Sequence, residues 1–322
     1  MKKLLLCLII CLSLPSLYAA QVAGIQNITF PTEASLSSEE KEAQAAFRYF
    51  LDEVEQDAIL TREEQHHKIQ KFKIFANSLS LKVATCLTNL LIEETRLRII
   101  DMLQNAALDD LEMSAYLAGY EEAILRVNNM NVEIAREMLF FVAELKIHRQ
   151  YVYDFGVALG CPKQQLLRHD LCKLSADQFE GYARYYRGGR QDEDKLAYLA
   201  AWELHQYEEH HHESYSKVGF DFDSFSEERL RNNMLESVAD LLASTKQRAG
   251  STLIDWLVNI FPKKHPHPRL LPFLEEGLKK AHAYYLESEE NLDSERSIFK
   301  GLPCWNSDVE EVFSKLKEAA PI

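Results

Sequence analysis

The fold is decided by residues 132–162, which read VEIAREMLFFVAELKIHRQYVYDFGVALGCP. Apolar side chains recur on one face of this stretch at helical spacing. That face contains Phe141, Leu145, Val152, Phe155 and Leu159. Gly160 and Pro162 follow directly, and such a combination is typical of a helix end. The stretch therefore predicts a long helix over residues 132–159 with one buried face.

The rest of the sequence is poor in residues that make turns. The chain has 11 glycines and 9 prolines among 322 residues, and no proline lies between Pro31 and Pro162. Folds with many β-strands need frequent turns rich in these residues, so they are disfavoured. Helical periodicity and capping signals predict further helices. They lie near 38–60, 62–78, 80–107, 164–173, 176–187, 192–212, 227–249, 251–260, 269–288 and 308–318. The predicted class is all-α, with a multi-helix domain preceded by an N-terminal helical region.

Residues 1–20 have the pattern of a signal peptide. Lys2 and Lys3 precede an apolar segment at 4–14, and small residues follow at Ala19 and Ala20. The alternative is a membrane anchor, but the segment is too short to cross a bilayer of about 30 Å as a helix. We expect an exported protein, periplasmic or secreted if the host is bacterial, with no transmembrane helix in the mature chain.

Composition shifts and helix breaks divide the remaining chain into three parts. We expect an N-terminal helical region at 21–135, a helical domain at 136–290 and a C-terminal tail with a short helix at 291–322. The formal net charge of −14 would repel polyanions, so a nucleic-acid partner is not expected. Four cysteines follow the predicted signal peptide, and their pairing stays open. They are Cys86, Cys161, Cys172 and Cys304, of which Cys161 and Cys172 are closest in sequence.

Six of the chain's 11 histidines are concentrated in one part of the sequence, which favours a metal site. They are His148, His169, His205, His210, His211 and His212. His148 interrupts the apolar face of the predicted helix at 132–159 and should point inward. Alone, it is equally consistent with a core histidine that hydrogen-bonds a neighbour.

Carboxylates accompany these histidines. Asp170 follows His169 directly, and the pair can present a nitrogen and an oxygen to one cation. Asp170 can instead be a capping or turn residue. Farther along, Glu236 and Asp240 are four residues apart on a predicted helix, so both carboxylates share one face. They repel each other there unless a cation or solvent compensates their charge.

A histidine, then His169-Asp170, then the distant Asp240 in a helical domain resembles the HD superfamily of metal-dependent phosphohydrolases. The sequence is more closely similar to a bacterial and phage family of HD-like domains without established function. The likeness covers roughly residues 145–285, and Cys172 stands where Ser is more usual. Its segments are 169–173, 180–182, 201–205, 210–212 and 236–240.

The resemblance implies the ligands of a divalent cation, which would be Mn, Fe, Zn, Ni or Mg. These ligands are His148, His169, Asp170 and Asp240. It further implies a second metal site or a phosphate site formed by His205 with His211 or His212.

The resemblance also implies roles for other residues and a reaction. Asp170 and Lys173 would be catalytic, and Lys173 would hold a phosphate or pair with a site carboxylate. Glu180 and Glu236 would orient the ligand imidazoles. The implied activity is hydrolysis of a phosphate ester in a small phosphorylated substrate, with a cation that activates water.

Two other functions remain open. One is a non-catalytic metal-binding module in which His210–His212 captures a metal. The other is a helical interaction protein with a vestigial HD-like site, whose acidic N-terminal helices bind a partner. A serine hydrolase has little support, because the sequence has no Gly-x-Ser-x-Gly motif.

Overall fold

The computed structural model describes residues 36–56, 62–88, 90–91, 132–174, 176–187, 192–212, 221–248, 252–290 and 296–319. Regular structure within these ranges is helical throughout, without a strand, which confirms the predicted all-α class. The α-helices are α1 (Ser38–Gln56), α2 (Arg62–Ser78), α3 (Val132–Leu159), α4 (Lys163–Arg168), α5 (Ala176–Arg187), α6 (Asp192–Glu208), α7 (Glu227–Gln247), α8 (Leu253–Asn259), α9 (Leu271–Glu290) and α10 (Ser307–Glu318). None of these described helices is both long enough and apolar enough to cross a bilayer.

Some predictions concern other parts of the chain. The signal peptide and most of the helix near 80–107 lie outside the described residues. Residues 81–88 of that predicted helix are described and are helical. The division into domains stays a prediction.

Helix α3 is the central element of the fold, and it confirms the predicted helix at 132–159. It packs against α5 on one side and α7 on another, and α2 also contacts it. The predicted apolar face is buried; Val152, Phe155 and Leu159 have no exposed surface. Gly160 then ends the helix at a φ of 90°, a conformation that glycine adopts without strain.

Helices α5 and α6 form a closely packed pair. A Cβ atom at Gly181 would lie 2.7 Å from the backbone oxygen of Ala197, so only glycine permits this separation. The close approach places His205 of α6 next to Tyr182 of α5, and Trp202 lies beside His205 on α6. Gly181 therefore fixes the position of α6, and with it that of His205, relative to α5.

Helix α7 packs against α3 on a different side from α5. Ser226 caps its N-terminus by accepting a hydrogen bond from the Arg229 amide, and Glu227 and Glu228 complement the helix dipole. Its core positions pack on α3 and α9. The amine of Lys246 is buried among these helices and donates to the Ile298 carbonyl at 2.9 Å.

Two predicted helices end earlier than the sequence suggested. The helix predicted at 164–173 stops at Arg168, and a tight 3₁₀ turn follows at Leu171–Leu174. Asp170, between them, has a φ of 60°. Successive side chains of a regular helix diverge by about 100°, so this turn lets His169 and Asp170 face the same side. The helix predicted at 192–212 stops at Glu208, and His210–His212 form a separate turn.

The cysteines that the structure describes are all free and buried, so Cys161 and Cys172 do not form a disulfide. The Cys161 thiol faces the carbonyl of Asn232, and burial raises its pKa. Cys172 instead contacts His205 and Glu209. The two cysteines that are closest in sequence thus have different contacts.

Candidate metal site

His148 projects from α3 into the interior, as its place in the apolar stripe predicts. Its side chain is 5% exposed, and its Nδ1 lies 2.9 Å from Oε1 of Gln247. Because an amide oxygen only accepts, Nδ1 carries the proton and donates it. The Gln247 amide is itself fixed, since its Nε2 donates to the Glu144 carbonyl at 3.0 Å. Nε2 of His148 is therefore left with its lone pair directed into the site.

His169 is held in the same way from α7. Its Nδ1 donates to Oε1 of Glu236 at 2.9 Å, and neither residue is more than 3% exposed. Gln165 donates to the other carboxylate oxygen of Glu236. Nε2 of His169 faces Nε2 of His148 at 3.4 Å. The ring nitrogens that are free to bind a cation thus point at one another.

Asp240 adds a carboxylate to the facing nitrogens of His148 and His169. It lies on α7, one helical turn after Glu236. Its Oδ1 lies 3.0 Å from Nε2 of His148 and 4.0 Å from Nε2 of His169. We call His148, His169 and Asp240 the first half-site; their ligand atoms all lie within 4.8 Å of one another. A neutral His148 presents a lone pair to a carboxylate here. Two acceptors in contact need a cation or a proton between them.

Asp170 lies next to the first half-site and is fully buried. Its Oδ2 is 3.5 Å from Nε2 of His148 and 3.6 Å from Nε2 of His169. The same oxygen accepts a hydrogen bond from the Lys173 amine. Lys173 therefore pairs with a site carboxylate, one of the two roles that the resemblance implied for it.

The other oxygen of Asp170 faces a second group of ring nitrogens. Oδ1 lies 3.3 Å from Nε2 of His205 and 3.9 Å from Nε2 of His211. We call His205 and His211 the second half-site. Oδ1 of Asp170, Nε2 of His205 and both nitrogens of His211 are buried without a hydrogen bond to any described residue. Buried polar atoms are rarely left so, and a cation would satisfy them.

The thiol of Cys172 holds His205, and the carboxylate of Glu209 holds that thiol. Sγ of Cys172 lies 3.0 Å from Nδ1 of His205 and donates to Oε1 of Glu209 at 3.1 Å. The thiol proton is thus used toward Glu209, so the sulfur accepts from His205 and leaves Nε2 of that ring directed at Asp170. Glu209 also approaches Nδ1 of His211 at 3.5 Å.

The remaining predicted site residues have different surroundings. His212 is buried against Trp202, with ring centroids 4.9 Å apart. Its ring lies 4.1 Å from that of His211, so the two share one cluster. The side chain of His210 lies outside the described residues. Glu180 forms an ion pair with Arg184 at 3.1 Å, and its role beside the histidines stays a prediction.

Strong electrostatic coupling keeps the carboxylates ionised. Burial would raise the pKa of Asp240, but a hydrogen bond from His148, in the form of that ring with a proton on Nε2, and the charge of His211 hold the pKa well below its usual range. Burial likewise opposes ionisation of Asp170, and the charge of Lys173 outweighs it, so this pKa is also low. In Glu236, burial is outweighed by hydrogen bonding from His169 and by His211, which lower the pKa to about 2. These three carboxylates are therefore ionised.

The histidines divide into neutral and charged groups. Burial lowers the pKa of His148, and Asp240 only partly offsets this. Burial and the charge of Lys173 hold the pKa of His205 well below its usual range. Burial would also lower the pKa of His211, but Glu209 and Glu236 raise it well above that range. Neutral His148 and His205 are in the state that metal binding requires.

A cavity of about 490 Å³ gives access to the site from outside. His148, Asp170 and Asp240 lie on its floor together with Lys173. The first half-site is thus within reach of a small molecule, and the volume is typical of a ligand pocket.

Three residues of the site were missed by sequence reasoning: Gln247, Glu209 and Cys172. Gln247 lies seven residues after Asp240 on α7, which places both on one helix face. That spacing was available as a signal. Glu209 adjoins the histidine turn but carries no periodic signal. Cys172 was noted as a departure from Ser, without a partner.

The comparisons with known proteins found a match to a family whose function is unknown. Residues 127–280 match a family model described as "Family of unknown function (DUF5662)". The matched region contains both half-sites and largely overlaps residues 145–285, for which the HD-like resemblance was stated. The search of curated proteins found no match, and neither did the search of solved structures. Over residues 127–280, the chain is thus similar to a family of unknown function.

Proposed function

We propose that this protein binds a divalent metal ion and hydrolyses a phosphate ester in the cavity above it. The convergence of His148, His169 and Asp240 from three separate segments carries this proposal. Their facing atoms are 3.0–4.0 Å apart. Ligands about 2.0–2.2 Å from one cation lie about 3–4 Å from each other, so the spacing fits a metal without rearrangement.

The donor set also fits a metal such as Mn, Fe, Zn or Ni. It combines imidazole nitrogens with carboxylate oxygens, which these ions accept. Gln247 and Glu236 hold Nδ1 of His148 and His169, which is the outer arrangement that orients a ligand imidazole and increases its basicity. Asp170 has one oxygen toward each half-site, so it is suited to bridge two cations.

The cavity supports chemistry at phosphorus rather than storage of a metal alone. A bound cation would neutralise phosphate oxygens and make a water molecule more acidic. Lys173 lines the same cavity and stays charged: burial would lower its pKa, but Asp170 and Asp240 raise it. Its amine can donate hydrogen bonds to a phosphate oxygen while Asp170 fixes its position.

The test begins with metal content. The full chain, prepared without a histidine tag, should contain bound metal by elemental analysis. His169→Ala should lose it, and His67→Ala, which changes an exposed histidine on α2, should keep it. Absence of stoichiometric metal in the parent after reconstitution would remove every metal-dependent function.

The second step separates catalysis from metal binding. The metal-loaded protein is assayed with 4-nitrophenyl phosphate, bis(4-nitrophenyl) phosphate and a panel of nucleotides. Turnover that Lys173→Ala reduces at unchanged metal content supports the hydrolase. Bound metal without turnover on any of these substrates favours the non-catalytic metal-binding module instead.

A further inference from the structure

The outer part of the cavity is lined by two cationic side chains. Arg248 follows the end of α7, and Lys264 lies in the turn at Phe261–Lys264; both are exposed and both line the cavity. Lys263 is next to Lys264 in the same turn and is exposed, but it does not line the cavity. Two cationic side chains from separate segments therefore point to one opening.

The charges that line the cavity are arranged from floor to mouth. The carboxylates of Asp170 and Asp240 lie at the floor, where the proposed cation binds. Lys173 is also at this level, and the charge of Arg248 reaches it, since Arg248 opposes the rise in the pKa of Lys173. Glu144 also lines the cavity, so three carboxylates and three cationic side chains balance there, and a bound divalent cation would make the sum of these charges positive. This contrasts with a net charge of −14 for the chain.

The middle of the cavity is defined here by its half-buried lining, which is aromatic. Tyr198, Trp202 and Trp256 line the cavity and are less buried than Asp170 and less exposed than Arg248 and Lys264. Rings of this kind bind the apolar or planar body of a ligand. A single phosphate on the floor would leave this middle part and the cationic mouth without a ligand group.

We propose that the substrate is a phosphate ester with a second anionic group, a carboxylate or a further phosphate, which Arg248 and Lys264 bind. This inference rests on the proposed function for the position of the first phosphate. Arg248 offers a planar pair of donors suited to either anion, and Lys264 adds a point charge.

Binding of phosphonates, which cannot be hydrolysed as phosphate esters can, tests this inference independently of turnover. Phenylphosphonate and 4-carboxyphenylphosphonate are titrated into the full chain loaded with Mn²⁺, and heat is measured by calorimetry. The carboxylated ligand should bind about tenfold more tightly. Arg248→Gln and Lys264→Gln should each remove most of that ratio, whereas Lys263→Gln should preserve it. All three positions are exposed, so the fold is not expected to change.

The outcomes separate the two proposals. Equal affinity for both ligands would overturn the second anionic site and leave the hydrolase to the turnover assay. A preference that survives both Arg248→Gln and Lys264→Gln would overturn the assignment to these residues. A preference lost in those variants, together with no turnover on any phosphate ester tested, would support the second anionic site and overturn the hydrolase. If neither phosphonate binds, the second anionic site is overturned and the hydrolase is left to the turnover assay.

Discussion

The two half-sites differ in what holds their histidines. In the first, Nδ1 of His148 and Nδ1 of His169 each donate to an oxygen at 2.9 Å. In the second, Nδ1 of His205 meets the sulfur of Cys172, and neither nitrogen of His211 makes a hydrogen bond with a described residue. Oxygen acceptors form shorter and stronger hydrogen bonds than sulfur. The first half-site is thus preorganised, while the second is held more loosely.

This difference implies an order of metal binding. A preorganised set of ligands loses little freedom when a cation binds, so its affinity is higher. His211 carries a raised pKa, and its proton must leave before the ring can bind a metal. We expect one tightly bound cation at the first half-site and a weaker second one between Asp170 and His205.

The largest effect should come from Asp170, which contacts both half-sites. Asp170→Asn keeps the φ of 60°, because asparagine tolerates this conformation. It replaces the bridging carboxylate with a weak neutral ligand. Metal affinity should fall about 100-fold or more at both half-sites, measured by competition with a chelator. Asp221→Asn, at an exposed position, is the matched control. Retention of the first cation alone would show that Asp170 serves only the second half-site.

Glu236→Gln should have the next largest effect. Glu236 accepts from Nδ1 of His169 and lies 3.5 Å from Nδ1 of His211, so it is shared by the two half-sites. Loss of its charge should weaken binding of the first cation about 10- to 100-fold. Glu228→Gln changes an exposed glutamate of the same helix and should have no effect on the same chelator titration. Equal loss in both variants would point to a general change in charge.

The sequence was sufficient for features that depend on local periodicity. The stripe of α3 placed His148 inward, and the four-residue spacing of Glu236 and Asp240 placed both carboxylates on one face. Both expectations agree with the contacts that the structure shows. They succeed because helix geometry relates neighbours on the chain without knowledge of the remaining fold.

Features that depend on distant contacts could not be predicted. Gln247 orients His148, which lies 99 residues earlier in the sequence. Cys172 contacts Glu209, which lies 37 residues later. Neither separation follows from a helical period. The φ of 60° at Asp170 was also missed, because the surrounding residues continue a helical pattern. At this break the Asp170 carboxylate accepts a hydrogen bond from Lys173 and faces His205 from a distant helix.

Gly181→Ala should act on the second half-site alone. The added Cβ would lie 2.7 Å from the Ala197 oxygen, so α5 and α6 must separate. Overpacking of this kind costs about 1–3 kcal/mol in the free energy of unfolding, measured with urea. Because α6 carries His205, binding of the second cation should weaken while the first persists. Equal weakening of both cations would contradict the separation of the half-sites.

Cys172 tests whether the thiol orients His205. Serine at this position still donates and accepts, although its oxygen is smaller than sulfur, whereas alanine does neither. Cys172→Ala should bind the second cation about tenfold more weakly than Cys172→Ser in the same chelator titration. Binding of the first cation should be equal in the two variants. If alanine and serine give the same second affinity, the contact between Cys172 and His205 has no positioning role.

The smallest effect is a pH dependence of the free energy of unfolding. It concerns α7, the helix that carries Glu236, Asp240 and Gln247. Burial lowers the pKa of Lys246 on α7 to about 8, against 10.5 ordinarily. Below pH 8 both folded and unfolded chains are protonated, and the folded state bears the full cost of the buried charge. Between pH 8 and 10.5 the unfolded chain binds more protons, so stability rises with pH. Between pH 8 and pH 9 the rise should be about 1 kcal/mol in urea unfolding. Lys246→Met should remove this slope relative to the parent, and Lys195→Met, at an exposed position of α6, should retain it. A slope in the parent that Lys246→Met leaves intact would show that another group titrates. It would also show that a charged Lys246 does not lower the free energy of unfolding.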